Sequence, residues 1–434
     1  MSRTVRVDHL ARVEGHGGIT VELDGGAVSR VQFDISEGIR LIEGLIRGRS
    51  FEDVSQIVSR ICAICSVAHS LTSLKATEHA FGISVSPQTE ALRDLMYRGE
   101  NIESHALHLF LLAIPDYLDY PSAIAMAADD AEAVKLGLRL KRMGNSIQEI
   151  VGGRAIHPVN ARLGGFGRIP STDQLVGLRN ELQQCLGSRK AMIDLLVSLP
   201  SADFCRTATA FAALRFPKDY GYYLGDEIDV LWNGTEESVH AGDYRCLANE
   251  IAVPHSHAKH SSFNGRPFMV GALARLSVNW NKLTGLAADA AKGLGLSPPF
   301  NNPMDNNKAQ AVELVLDLEH ALKTVEDMLS TGLKEEGPAK VRPRAGTATA
   351  VTEAPRGLLF HSYTYDSDGR ITAADVITPT ALNASSVEHH FRKAVEQDGD
   401  KEALGLKKKL EMIARAYDPC ISCSVHLMTR SHVD

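Results

Sequence analysis

Two Cys-x-x-Cys pairs stand at opposite ends of this chain, Cys62-Ala63-Ile64-Cys65 near its start and Cys420-Ile421-Ser422-Cys423 near its end. Thiolates three residues apart point their sulfurs the same way, and two such pairs can enclose one soft transition-metal site. If both pairs serve one site, the head and tail of a 434-residue chain must close on each other. Metal insertion then becomes a late folding step. We therefore expect one interlocked unit over residues 1–434 rather than separable domains. Spacing alone leaves nickel, zinc and an iron–sulfur cluster open. A four-cysteine structural zinc site is the plainest alternative, although such sites usually staple small folds from closely spaced halves.

Composition narrows the class further. With 44% hydrophobic residues the chain can bury a substantial core. A formal charge of −7 carries no basic signature of nucleic-acid binding. No apolar run reaches ~18 residues, so no membrane span is expected. The segment Met1–Asp8 lacks the apolar stretch of a signal peptide. Of seven cysteines, Cys185, Cys205 and Cys246 fall outside the pairs and read as buried small hydrophobes. Such cysteine usage fits a reducing compartment, the cytoplasm, better than a disulfide framework.

The pattern along the chain is α+β, a mainly α-helical bundle core with small peripheral antiparallel hairpins and sheets. Ile19, Val21 and Leu23 alternate with polar residues, Gly25-Gly26 turns, and Val31, Phe33 and Ile35 return. A short helix is expected across Leu41–Ile46. Another follows Cys65, with Val67, Leu71, Leu74 and Phe81 on one face. The first cysteine pair thus lies in a loop entering a helix, where free backbone N–H groups favour thiolate. Longer helices are expected near 87–113, 128–151, 171–197, 305–331 and 384–416. A second hairpin is expected at 356–378, turning at Asp368-Gly369, and 334–340 reads as a solvated loop.

Four segments carry more than spacing: Arg12-Val13-Glu14-Gly15-His16, residues 60–69 around the first pair, Glu353-Ala354-Pro355-Arg356-Gly357, and residues 418–426 around the second. In these the chain resembles the large, catalytic subunit of the nickel–iron hydrogenases over residues 12–426. Residues 61–69 and 104–110 are most similar to the cytoplasmic, NAD(P)-linked or sulfur-reducing branch.

The resemblance implies reversible heterolytic cleavage of H2 at a nickel–iron centre. Cys62 and Cys420 would bind nickel terminally, and Cys65 and Cys423 would bridge nickel to iron. The iron would carry one carbon monoxide and two cyanide ligands. Glu14 matches the family's proton-relay carboxylate, and a raised pKa beside a poorly solvated metal would suit that role. Arg356 matches the arginine overhanging the open metal position. Asp116 and Asp418 match carboxylates that hold that arginine, and Pro355 completes its surroundings. Thr380 stands where a hydroxyl donates to a cyanide, and His69 would hydrogen-bond near a bridging sulfur. Glu43, a main-chain carbonyl near Val376 and the imidazole of His426 match the ligands of a buried magnesium, or iron.

In the resemblance an endopeptidase removes the segment after His426, so residues 427–434 form a cleavable tail. All four paired cysteines are consumed, so electrons must leave through an iron–sulfur small subunit. In this branch flavin- and NAD(P)-binding diaphorase subunits follow. Gly164-Gly165 and the His157 segment are similar to a family motif near the site and read as structural. They lack the strand-then-GxGxxG context of a dinucleotide loop. His255, His257 and His260 lack a carboxylate or cysteine at ligand spacing and read as polar loop packing. Two other classes stand beside the enzyme. One is a non-catalytic subunit like the hydrogenase-derived subunit of respiratory complex I, which lacks the cysteine pairs. The other is a zinc-stabilised scaffold.

Overall fold

The alternation at Ile19–Leu23 and Val31–Ile35 forms the expected hairpin, strands Gly17–Asp24 and Ala27–Ile35. Ser2–Val7 adds a third antiparallel strand on its edge. These elements come from a computed structural model of the chain, which describes residues 2–398 and 403–425. Expectations that fall on the other residues, those for His426 and the tail 427–434, lie outside the described residues. No described helix is long and apolar enough to cross a membrane.

The helix after the first cysteine pair, Ser66–Phe81, runs through the middle of the molecule with every residue but His79 buried. Its spacing predicts burial of an apolar face alone; the polar faces are buried too, and most of their groups are paired. Thr72 Oγ1 meets Thr352 Oγ1 at 2.6 Å. Lys75 Nζ donates to the carbonyls of Tyr223, Gly225 and Val351. Glu78 takes two hydrogen bonds from Arg93. Buried polar groups are tolerated when so paired, and their small size lets neighbours close in from all sides.

Around this axis stand the helices Pro87–Ala106, Ala131–Gly152 and Asp305–Thr331. Gly99 and Gly144 let the first two cross closely, since a Cβ on Gly144 would stand 2.4 Å from the Gly99 carbonyl oxygen. The expected helix 87–113 changes pitch, Leu107–Ala113 being π-helical. Pro115 accounts for this: it has no N–H to give, and its ring crowds the carbonyl four residues back, which a widened turn relieves. The expected helix 171–197 is divided into Thr172–Gly187 and Arg189–Ser198. The one at 384–416 begins earlier, at Pro379, runs to Asp398, and is resumed by Ala403–Ala416. Proline suits a first helical position because its missing N–H would have no partner there.

The second expected hairpin is present as Gly357–Tyr365 and Ile371–Ile377. A third strand, Gly346–Ala354, pairs with it antiparallel and packs on the Ser66–Phe81 helix, so this sheet is central rather than peripheral. A four-stranded sheet takes the order Phe268–Met269, Ala210–Leu214, Glu227–Trp232, Thr235–His240. Its first pairing is parallel, a departure from the antiparallel pattern. One apolar cluster reaches from Val5 to Val425.

Candidate metal centre

The two chain ends meet. Cys62 Sγ lies 3.3 Å from Cys420 Sγ, and Cys65 Sγ lies 3.7 Å from Cys423 Sγ. All four sulfurs are buried and lie within 4.8 Å of one another. Bonds of ~2.3 Å to a soft metal put tetrahedral thiolate sulfurs roughly 3.7 Å apart, so the set fits such a site. Cys420 and Cys423 are joined to each other as a disulfide; opened, this pair offers two thiolates facing the first pair. A hydrogen bond from Cys65, working against burial and aided by Arg356, holds Cys62 below the usual thiol range. The same bond, with burial, pushes Cys65 well above it.

Each loop is held by residues from elsewhere. Glu14 and Cys420 form a parallel β-bridge, with the Ile421 N–H donating to the Glu14 carbonyl at 2.9 Å. The Glu14 carboxylate accepts from the Ser422 N–H at 3.0 Å and from the Ser422 hydroxyl, and lies 3.3 Å from Cys420 Sγ. Gly15 permits this approach. Its φ is +87°, and a Cβ there would stand 2.8 Å from Ile421 Cβ and 2.9 Å from the Ser422 nitrogen.

Several holding residues were not singled out from the sequence. Arg40 donates to the Ile61 carbonyl at 2.7 Å and to the Ser422 carbonyl, clamping the two cysteine loops together. Glu100 accepts from the N–H groups of Val67 and Ala68 at 2.6 and 3.0 Å, capping the helix that starts beside Cys65. Burial pushes its acid well above the usual carboxylate range. His157, whose segment the sequence marked as structural near the site, bonds through its ring to the Ser59 carbonyl and donates its backbone N–H to the Ser66 hydroxyl, bracketing the first pair. No local pattern marks Arg40 or Glu100. For Glu100 the one available signal was a charged residue inside a helical stretch that folds as core.

Arg356 is buried against the same sulfurs. Burial pulls its guanidinium down, but Asp418 and the Cys62 and Cys65 sulfurs outweigh it and hold the group above its ordinary value. Its Nε donates to the Asp418 carbonyl at 2.7 Å and its Nη2 to Asp418 Oδ1 at 3.0 Å. Nη1 is buried with no hydrogen-bond partner among the described residues, a donor left free beside the sulfurs. Asp418 is braced by Gln310 at 3.1 Å, which His108 holds in turn. Thr380 Oγ1 accepts from the Cys420 N–H at 2.9 Å, leaving its own proton to donate. The Pro355 carbonyl takes a hydrogen bond from Arg275. His69 Nδ1 stands 3.1 Å from His361 Nε2, one turn into the helix that follows Cys65.

Asp116 corrects an expectation. Its carboxylate does not hold Arg356 but binds Arg415 at 2.5 and 2.8 Å, and also Arg12. The residue follows the widened turn before Pro115 and faces the N-terminal loop and the Ala403–Ala416 helix, where two guanidinium groups compete for it. Arg356 takes Asp418 instead, its near neighbour in space.

Glu43 and Val376 also come together, the Val376 N–H donating to Glu43 Oε1 at 2.9 Å. Burial, reinforced by Asp375 and Glu250, pushes the Glu43 acid up to about 7 against the pull of the Val376 N–H and Lys259. Of the three unpaired cysteines, Cys185 and Cys205 are buried as expected. Cys246 is exposed, because the short turn Ala241–Cys246 ends at the surface.

Four cysteine sulfurs from two chain ends, with an arginine donor and a carboxylate beside them, make a candidate transition-metal centre in which protons can be handled. Comparison with known proteins narrows this class. A nickel-dependent hydrogenase profile matches residues 40–150 and 218–426, and a HoxL-like profile matches residues 4–37. The alpha chain of sulfhydrogenase 1 from Pyrococcus furiosus is 38% identical, with 98% of each chain covered. A vhu chain of the F420-non-reducing hydrogenase of Methanococcus voltae is 33% identical over 90% of this chain and 98% of its own. A crystal structure of an NAD+-reducing [NiFe]-hydrogenase in the H2-reduced state superposes with a TM-score of 0.88 at 28% identity, covering 98% of this chain and 99% of that one. This chain belongs to the nickel-dependent hydrogenase family. It is the catalytic subunit of a nickel hydrogenase, an oxidoreductase acting on H2, and Cys62, Cys65, Cys420 and Cys423 fit its nickel–iron site.

Proposed function

We propose that Cys62, Cys65, Cys420 and Cys423 would hold a nickel–iron pair, Cys62 and Cys420 as ligands to nickel alone and Cys65 and Cys423 as ligands shared with an iron that would carry carbon monoxide and two cyanides. The observation that carries this reading is the buried Arg356 Nη1, without a hydrogen-bond partner among the described residues, beside four converging sulfurs. When bound, the metal pair supplies heterolytic cleavage of H2. The chain's own residues do the rest. Glu14, 3.3 Å from Cys420 Sγ, collects the proton from that sulfur and passes it outward. Ser422 fixes the carboxylate through its N–H and hydroxyl. Arg356, oriented by Asp418, offers its free N–H to a cyanide, and Thr380 offers its hydroxyl proton to the other. Pro355 sets the backbone next to Arg356, and His69 would hydrogen-bond near the Cys65 sulfur. Elemental analysis should find one nickel and one iron per chain, and infrared spectra should carry metal-bound carbonyl and cyanide bands. Zinc alone, with no such bands, would sink the assignment.

Arg356→Lys should assemble with its metals but turn over about 100-fold slower or worse, because an ammonium cannot bond Asp418 and a cyanide through one planar fork. Hydrogen uptake assayed at equal metal content checks this. A near-normal rate would remove the arginine's role.

Glu43, the main chain at Val376 and His426 are proposed to hold a divalent magnesium or iron. A carboxylic acid kept partly protonated by burial is the group such a cation would ionise and bind. An endopeptidase would remove residues 427–434, so intact mass of active enzyme should end at His426. Electrons would leave through an iron–sulfur small subunit, then through flavin- and NAD(P)-binding subunits; that one relative is an alpha subunit and another is NAD+-reducing supports further subunits and a nicotinamide acceptor. A reducing cytoplasm would keep the four thiols available for metal.

A further inference from the structure

Outside the cysteine centre, a second group of metal-type donors assembles from two separate parts of the chain. His255 precedes the strand Ser256–His260, which ends in His260, and Glu388 lies on the helix Pro379–Asp398. One donor atom from each of the three lies within 4.8 Å of the others. His255 Nε2 is 2.6 Å from Glu388 Oε1, and His260 Nδ1 is 3.9 Å from Glu388 Oε2. The side chains are 16%, 10% and 18% exposed in the order His255, His260, Glu388, so the group is sheltered yet reachable. A cleft of about 290 Å³, lined in part by His260, Glu388, Ser385 and His389, opens over it.

A plain hydrogen-bonded network does not account for this geometry. It satisfies His255 and Glu388, whose Oε1 also accepts from the Phe33 N–H at 2.8 Å. It leaves His260 out. That ring is buried, its Nε2 has no hydrogen-bond partner among the described residues, and 3.9 Å from Nδ1 to the carboxylate is beyond hydrogen-bond reach. Ligands bound at ~2.0–2.2 Å to one tetrahedral ion stand roughly 3.4 Å apart, so 3.9 Å suits two donors facing a shared cation. Burial, with neighbouring His255, holds His260 below the usual histidine range, which keeps the ring in its neutral, metal-binding form even though Glu388 opposes the shift.

We propose that His255, His260 and Glu388 form a site for one divalent transition-metal ion of the zinc type. Two imidazoles and one carboxylate make an N2O donor set that leaves one position open for water from the cleft. On binding, the ion replaces the proton shared between His255 and Glu388, and that proton passes to solvent. The guanidinium of Arg392 also lines the cleft and favours hydroxide or another small anion as the fourth ligand. The ion ties the Ser256–His260 strand to the Pro379–Asp398 helix, which through Glu388 also grips the Ala27–Ile35 strand.

Titration of the nickel–iron holoenzyme with Co2+ and with Zn2+ tests this. Wild type should take up one added ion per chain, and Co2+ should show the d–d absorption of a four- or five-coordinate nitrogen–oxygen site. His260→Gln should weaken that uptake more than about 100-fold while nickel and iron content and H2 turnover stay at wild-type levels. Glu388→Gln should do the same. If it fails to fold, because Glu388 also anchors Phe33, His260→Gln decides alone, since the His260 Nε2 has no hydrogen-bond partner among the described residues for folding to miss. Co2+ uptake with wild-type affinity in His260→Gln, or no added ion in wild type, would overturn the site.

Discussion

Glu14→Gln lowers H2 turnover by ~10²–10⁴-fold, the span expected for loss of a positioned proton acceptor. The substitution keeps size and shape. Its amide oxygen can still accept the Ser422 N–H, and its NH2 can still meet the Ser422 hydroxyl, so the contacts that hold the second cysteine loop persist. What the amide cannot do is take a proton from Cys420, 3.3 Å away, and release it. Nickel and iron content should therefore match wild type while H2 uptake and H/D exchange both fall. Exchange at the wild-type rate would take Glu14 out of the proton path.

Arg275→Met should destabilise the chain by ~3–5 kcal/mol, a large part of the stability of an ordinary domain. Arg275 is wholly buried and uses all five donors. Nε and Nη2 bind Glu313 at 2.7 Å each. Nη1 binds Glu353 at 3.0 Å and the Ala354 carbonyl at 2.9 Å, and Nη2 binds the Pro355 carbonyl at 2.9 Å. Methionine fills much of the volume but leaves two carboxylates and two carbonyls buried without their cation. The two acids share the arginine unequally. Burial pushes both up, yet Arg275 and His105 bring Glu313 down from 4.5 to about 2, while Glu353 stays raised at about 7. Glu313 therefore carries the negative charge, as its bidentate geometry and the His105 contact at 2.8 Å require. A folded-state pKa below the unfolded one means this stabilisation is present above about pH 4.5 and is lost as pH falls towards 2. Denaturation midpoints measured from neutral pH down to that limit check both points. The variant should fall well below wild type at neutral pH, and the gap should narrow in acid. Because Arg275 bonds the carbonyl next to Arg356, metal loading should also drop; an unchanged midpoint would mean the network contributes little.

The elements carried by strong local periodicity were legible before any tertiary information. Helix 305–331 and both glycine-turned hairpins are cases where apolar spacing, caps and turn residues act within a few positions. The misreadings have tertiary causes. The Ser66–Phe81 helix looked one-faced because its serines, threonines and Lys75 are polar, and only their distant partners make them core. The break in pitch at Leu107–Ala113 depends on Pro115, whose effect reaches backward through the carbonyl it crowds. At the site, motif residues such as Glu14, Arg356, Asp418 and Thr380 could be named from the chain. Arg40 and Glu100 could not, because each acts through backbone groups of segments far from it in sequence.

By itself the order of residues determined the ligand chemistry: four thiolates in two spaced pairs, with the acid and base types that flank them. Which groups pair was settled only in three dimensions. Asp116 went to Arg12 and Arg415, Asp418 went to Arg356, and Glu388 arrived beside two histidines that had no carboxylate at ligand spacing along the chain. The reason is that donor type is a covalent property of each side chain, whereas charge pairing and desolvation depend on which surfaces folding buries against each other.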